Sequence, residues 1–384
     1  MRRWACRAGL VVAIWSTIGT GAAFASSWSI QSTPNPTGAR SAQLNGISCV
    51  TATACVAVGT YTSSAGKQLT LAERWNGITW RLLRTFDPER ATSSQLEGVS
   101  CVRVSLCVAV GWYANAHGLQ RTLVERLRGD TWRWQPSANV SDTVGSELFG
   151  VSCTTGDACT AVGTNFGTVE TLAERWNGVR WQIQPTPAPP VYNVAELYSV
   201  SCTSSTFCMA SGQDQEQLTE SWNGSTWTVQ PNQGPTFGPF LGVTCKSASA
   251  CETVGYAFAG PAVFATANSW DGTAFTDQPS ASPGTSDSVL NAVSCTTLSV
   301  PGPAGCEAVG GAGHGPNPLS APESASAESF DGTTWTLQSV PSPAGTTFSV
   351  LNGVSCADGT CIAVGTYGTS AQPGPQFTLA ENFS

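Results

Sequence analysis

Apolar positions in this 384-residue chain fall into short words with a period of two, and the words return in one fixed order seven times. In the first copy, Leu44-Asn45-Gly46-Ile47-Ser48-Cys49 reads as a short strand, and Cys55-Val56-Ala57-Val58-Gly59-Thr60-Tyr61 as a β-branched second one. Residues 69–75 then alternate: Leu69, Leu71, Glu73 and Trp75 fall on one face, Thr70, Ala72 and Arg74 on the other. Asn76-Gly77 predicts a tight hairpin turn with positive φ angles, and residues 80–83 return as a fourth strand. Asn177-Gly178, Asn223-Gly224, Asp271-Gly272, Asp331-Gly332 and the poorer Arg128-Gly129 repeat that turn.

The copies begin their cysteine pairs at Cys49, Cys101, Cys153, Cys202, Cys245, Cys295 and Cys356, in steps of 52, 52, 49, 43, 50 and 61 residues. Four strand-like words in a repeat of about 40–50 residues describe a propeller blade. Residues 26–384 are therefore expected to form one all-β, seven-bladed β-propeller of four-stranded blades, where length alone would suggest two domains. The seventh copy stops at Leu379-Ala380-Glu381-Asn382-Phe383-Ser384, one strand short. Ser27-Trp28-Ser29-Ile30-Gln31 matches the fourth-strand word Trp181-Gln182-Ile183-Gln184, so the N-terminal strand is expected to complete the last blade and remove an exposed edge. Proline-rich stretches at 185–190 and 341–343 read as connections between blades, since proline donates nothing to a ladder.

The cysteines sharpen this picture. Setting Cys6 aside leaves one local pair per copy: Cys49 with Cys55, Cys101 with Cys107, Cys153 with Cys159, Cys202 with Cys208, Cys245 with Cys251, Cys295 with Cys306, and Cys356 with Cys361. In an exported chain such pairs read as structural disulfides, each clamping a hairpin within a blade and worth roughly 2–3 kcal/mol by loop entropy. Zinc would need closer cysteines and more histidine than His117 and His314 supply, and redox catalysis would need one distinctive CxxC, so neither a metal nor a cofactor is expected.

Export is the expectation from the first 25 residues. Arg2, Arg3 and Arg7 form a basic start, residues 8–18 are apolar, and Ala23-Phe24-Ala25 suits signal cleavage. Losing those three arginines takes the formal charge from −8 to −11. That acidity, with Lys67 and Lys246 as the two lysines, argues against nucleic acid, anionic membranes and membrane insertion after cleavage. A secreted or cell-surface monomer is expected.

The whole chain after residue 25 resembles secreted bacterial β-propellers with Val-Ser-Cys…Cys-x-Ala-Val-Gly repeats. Ser329-Phe330-Asp331-Gly332-Thr333-Thr334-Trp335 is also similar to the Asp-box hairpin of sialidase-like propellers, one residue short between Asp331 and Gly332. Asp-boxes are structural turns in those enzymes too, so the resemblance implies fold and not activity.

Candidate chemistry is sparse. No Ser-His arrangement or phosphate-binding glycine loop is present. A glutamate recurs as Glu73, Glu125, Glu174, Glu220, Glu328 and Glu381, with Asn268 in the fifth copy. Six like copies suit a repeated blade contact, because acid–base catalysis needs carboxylates in unlike environments. Arg74, Arg126 and Arg175 follow that glutamate and read as blade surface, and the recurring tryptophans read as packing. The copies differ most at the second residue of the first strand: Asn45, Glu97, Phe149, Tyr198, Leu241, Asn291 and Asn352. If that strand is innermost, Asn45, Glu97, Phe149, Tyr198, Asn291 and Asn352 are candidates to grip a ligand at the central channel, aromatics stacking and amides bonding hydroxyls. Tyr113, Tyr192, the loop at 213–216 and the insertion at 311–327 are lesser candidates. The expectation is a non-catalytic recognition or scaffold module binding a glycan or an extracellular protein. A glycan-active hydrolase or lyase in the central funnel, and a structural envelope protein, are the alternatives.

Overall fold

Alternating, β-rich words joined by tight turns close first with their nearest neighbours, and each repeat accordingly folds into one antiparallel four-stranded sheet. The computed structural model describes residues 27–167, 170–187, 195–231, 237–260, 262–281, 287–296, 305–313, 324–370 and 374–384. The expected leader, Tyr192, His314 and most of the 311–327 insertion lie outside the described residues. After β1 (Trp28–Gln31), blade 1 runs β2 (Ser41–Thr51), β3 (Ala54–Thr62), β4 (Gln68–Trp75) and β5 (Trp80–Leu83). The described residues form seven such sheets. The seven first strands contact one another in sequence, and the last touches β2, so they ring a central axis. The chain is a seven-bladed β-propeller.

Closure follows the expected route. β1 joins the strand Gln376–Phe383 with Trp28 opposite Phe383, the two rings 5.1 Å apart. The same aromatic pairing brackets the turn between third and fourth strands in other blades, as in Trp75–Trp80 at 5.6 Å and Trp222–Trp227 at 5.8 Å. The last blade thus obtains its aromatic pair from the two ends of the described chain.

Two expectations about blade 1 change. Thr70, Leu71, Ala72 and Glu73 are all buried, so β4 has no solvent face. Blades stack face to face, and the core cluster that joins Val56 and Val58 of blade 1 to Leu96, Leu123 and Trp132 of blade 2 shows why. The turn is also longer than expected. Trp75 pairs with Trp80, leaving a four-residue loop in which Gly77 takes a positive φ of 91° and Asn76 does not. Asn76 Oδ1 instead accepts the amides of Ile78 and Thr79 at 2.9 and 2.8 Å. Asp331 does the same for Thr333 and Thr334, both at 2.8 Å, so the Asp-box-like word is a capped turn here.

All seven expected cysteine pairs are disulfides. Cys49 bonds Cys55, Cys101 bonds Cys107, Cys153 bonds Cys159, and Cys202 bonds Cys208. Cys245 bonds Cys251, Cys295 bonds Cys306, and Cys356 bonds Cys361. Each bridge joins cross-strand neighbours of a blade's first hairpin, with Cα atoms 4.0 Å apart. The partners on the second strand (Cys55, Cys107, Cys159, Cys208, Cys251, Cys306 and Cys361) are all buried in the core between blades, so the bridges pack as well as clamp. No cysteine lines the central channel described below. Such density of bridges belongs to an oxidising environment. Among the described residues no helix is long and apolar enough to cross a membrane.

The serine before the first cysteine joins blades. Ser48 Oγ accepts the Cys101 amide at 3.0 Å, Ser100 that of Cys153 at 2.9 Å, and Ser152 that of Cys202 at 3.0 Å. Ser201, Ser294 and Ser355 make the same bond to Cys245, Cys356 and Cys49, the last across the chain ends, while blade 5 carries Thr244 in place of the serine. Trp28→Ala removes a buried indole at the closure and should destabilise the protein by about 3–5 kcal/mol in urea unfolding. Ser100→Ala should cost about 1 kcal/mol, the loss of one hydrogen bond between blades.

Candidate functional site

Every innermost strand carries an extra residue in its first half. Register against the second strand slips between Leu44 and Gly46, Leu96 and Gly98, Leu148 and Gly150, and Leu197 and Ser199. It slips again between Phe240 and Gly242, Leu290 and Ala292, and Leu351 and Gly353. Such bulges re-aim a side chain. The residues so displaced are Asn45, Glu97, Phe149, Tyr198, Leu241, Asn291 and Asn352, and all seven line the central channel. The structure therefore brings together the six candidate residues and Leu241.

Close packing explains the glycines around the bulge. A Cβ on Gly98 would lie 2.7 Å from the Phe149 carbonyl oxygen of the next blade, and one on Gly163 would lie 1.9 Å from the Glu147 carbonyl oxygen across its own hairpin. Inner strands approach so closely that the residue after the bulge is glycine, alanine or serine in every blade.

The bulge residues separate two spaces along the channel. A 340 Å³ mouth opens toward Gln43, Gln95 and Val350 near the starts of the inner strands, and toward Thr366 on the second strand opposite Val350. A 180 Å³ space continues past Ile47, Val99, Val151 and Val200. The three asparagines are partly committed to structure. Asn45, Asn291 and Asn352 donate Nδ2 to the carbonyls of Leu96, Leu351 and Leu44 in the following blade, each at 2.9 Å. These amides fasten inner strands as well as facing the channel.

Blades 2 to 4 make the mouth acidic and aromatic. Phe149 and Tyr198 lie with ring centroids 5.5 Å apart. Glu97 accepts Asn45 Nδ2 at 3.0 Å on one oxygen and the Gln95 amide on the other. Enclosure by protein pushes its carboxyl up to about 7 even so. Tyr198 donates its hydroxyl to Glu196, which also accepts Gln213 Nε2 at 3.0 Å. Burial, and then that carboxylate, raise the tyrosine well above its ordinary range. Glu147 is 9% exposed, and burial with the like charges of Glu97 and Glu196 raises it to about 7.

Sequence reading missed Gln43, Gln95, Glu147 and Glu196. The signal was present: two residues before the varying column, the copies also differ, and a period of two places both on one face. Hydrogen bonds from Gln43 to Asn45, Gln95 to Glu97 and Tyr198 to Glu196 realise that pairing. The loop at 213–216 thus reaches the site through Gln213, whereas Tyr113 packs against the core between blades 1 and 2.

The recurring glutamates lie elsewhere, buried between blades. Glu125 accepts the amide of Phe86, Glu174 that of Ala138 and Glu328 that of Ala281, at 3.0, 3.1 and 2.9 Å. Each donor sits in the connection from the preceding blade, so the acid fastens that connection. Asn268 takes the position in blade 5, where part of the connection falls outside the described residues. The arginines beside them also reach the next blade. Arg74 donates to the Val104 carbonyl at 2.9 Å, Arg126 to that of Gly156 at 2.6 Å, and Arg175 to that of Ser205 at 2.9 Å. Arg175 also covers the Trp222 ring at 4.7 Å. They join blades and do not converge on a ligand.

No family model matches the sequence, and no curated protein does. Solved propellers superpose along nearly all of it. YCF48 bound to D1 peptide aligns with a TM-score of 0.52 and 12% identity over 93% of this chain and 94% of that one. YCF48 from Cyanidioschyzon merolae gives 0.56 and 13% over 93% and 98%. U3-55K gives 0.55 and 9% over 93% and 98%. At these identities the likeness is one of fold. The resemblance read from the repeats holds for the seven blades and their cysteine pairs.

Burial pushes Glu73, Glu125, Glu174, Glu220 and Glu381 up to about 8 from an ordinary 4.5. Between those values the folded state holds more protons than the unfolded chain, so stability falls as pH rises from about 4.5 to about 8. Asp331, held down to about 2 by its turn hydrogen bonds, acts oppositely below its ordinary 3.8. Thermal unfolding should therefore give a higher Tm at pH 5 than at pH 8, and Glu73→Gln should reduce that difference.

Proposed function

We propose that this chain is a non-catalytic recognition module that holds a segment of a partner protein in the mouth of its central channel. Residues 1–25 direct it out of the cytoplasm and are removed, leaving residues 26–384 as a secreted or cell-surface monomer. One observation carries the reading: seven equivalent bulges turn five kinds of side chain into one channel, while the repeated residues around them serve contacts between blades. Variation is concentrated where a ligand would be read.

A peptide suits the mouth better than a sugar. The asparagine N–H groups that would serve sugar hydroxyls already donate to neighbouring carbonyls. A propeller of this fold, YCF48, is known with a bound D1 peptide, which sets a precedent for peptide binding on such a ring. Phe149 and Tyr198 offer the rigid aromatic anchors on which such interfaces depend.

A hydrolase or lyase of glycans is the second reading, favoured by Glu97 and Glu147 at about 7 beside the channel. Against it, both Glu97 oxygens accept amide hydrogens, an arrangement that favours the anion over a proton donor. The oxidised protein, screened on peptide arrays and on cell-wall glycans with chromatography of each incubated glycan, should bind peptides. Phe149→Ala or Tyr198→Ala should weaken that binding about tenfold or more. Glycan binding without products would move the ligand class to sugars. Breakdown products would establish the hydrolase or lyase in its place.

A further inference from the structure

The mouth is built unevenly. On blades 5 to 7 it presents Leu241, Asn291, Val350 and Asn352, none of them charged. On blades 2 to 4 it presents Glu97, Phe149 and Tyr198, and Glu147 and Glu196 stand two residues before the two rings on their inner strands. The outer two acids are satisfied: Glu97 by Gln95 and Asn45, Glu196 by Tyr198 and Gln213. Glu147 stands between them, 9% exposed, and no hydrogen-bond donor among the described residues reaches its carboxylate. It occupies the blade position of Gln43 and Gln95, which wall the 340 Å³ mouth, and it feels both neighbouring carboxylates. Among the described residues no lysine or arginine lines either channel space.

A buried carboxylate with no donor, between two others, is an expensive arrangement in a protein interior. A cation arriving from outside relieves it. We infer that the partner segment presents an arginine or lysine side chain to Glu147, between Glu97 and Glu196, with its charge against the faces of Phe149 and Tyr198. This deepens the recognition reading above and rests on it. Aromatic faces attract guanidinium and ammonium groups within about 6 Å of the ring centroid. A bare metal ion suits the site less well, because among the described residues no three Asp, Glu, His or Cys side chains come together tightly enough to hold one. A guanidinium is flat, carries five donors and spreads its charge, so it can serve carboxylates that do not converge on a point. The acidic surface would also draw such a segment in.

The test uses the oxidised full-length secreted protein on an array of random dodecapeptides, with N-acetyl-arginine amide and N-acetyl-glutamine amide as competitors. Glu147→Gln and Phe149→Ala are compared with Asp142→Asn, which makes the same charge change at a side chain 98% exposed and outside both channel spaces. The expected result is a binding set enriched in arginine or lysine, displaced by the arginine amide and not by the glutamine amide. Affinity should fall about tenfold in Glu147→Gln and in Phe149→Ala and change less than about twofold in Asp142→Asn. Equal losses in Glu147→Gln and Asp142→Asn would mean general charge attraction and overturn the inference. Peptides that need Phe149 but ignore both basic residues and Glu147 would overturn it while leaving the recognition reading standing. An array with no Phe149-dependent binding would remove both.

Discussion

Seven inner strands must converge on one axis, and the closeness of that approach governs the rest of the structure. A Cβ on Gly98 would fall 2.7 Å from the next blade's backbone oxygen, so the residue after the bulge has to be small. With inner strands this close, Ser100 Oγ meets the Cys153 amide at 2.9 Å, and the same contact recurs at five other junctions, including Ser355 with Cys49. No blade can satisfy these groups alone. The two ends of the described chain therefore have to meet, and Trp28 packing on Phe383 is where they do.

Further out, blades are held by groups that would be liabilities on a surface sheet. Glu125, Glu174 and Glu328 are buried acids that accept amides from the connection entering their own blade. Their neighbours Arg126 and Arg175 donate to the first hairpin turn of the following blade. Blades 2 and 3 are thus tied backward by a carboxyl and forward by a guanidinium. The disulfides, from Cys49–Cys55 and Cys101–Cys107 round to Cys356–Cys361, act within single hairpins, where they limit the freedom of short segments before the ring is assembled. Local crosslinks and contacts between blades divide the task of holding a chain with few charges and much glycine.

The same repetition makes the channel legible as a site. Positions that fasten blades, such as the glutamate and the serine before the first cysteine, repeat one residue type in six of seven copies, while the bulge residues need only fit a channel. Three of them, Asn45, Asn291 and Asn352, still fasten strands, so the freedom to specialise lies mainly in blades 2 to 5. Glu97, Phe149, Tyr198 and Leu241 come from those blades, and Glu97 is the carboxylate on the wall of the mouth.

The repeat of strand words, the cysteine pairs and the match between residues 27–31 and 181–184 determined the blade count, the disulfides and the closure, because each is a local pattern or a comparison of local patterns. The varying column around Asn45 was visible for the same reason. Tertiary structure decided what locality could not: that β4 is buried on both sides, that Glu73 and its counterparts lie between blades, and that serine hydroxyls meet cysteine amides about fifty residues away. It also decided the acidic side of the mouth. Glu97, Glu147 and Glu196 are about fifty residues apart in sequence, and only the closed ring sets them on adjacent strands with an unpaired carboxylate in the middle.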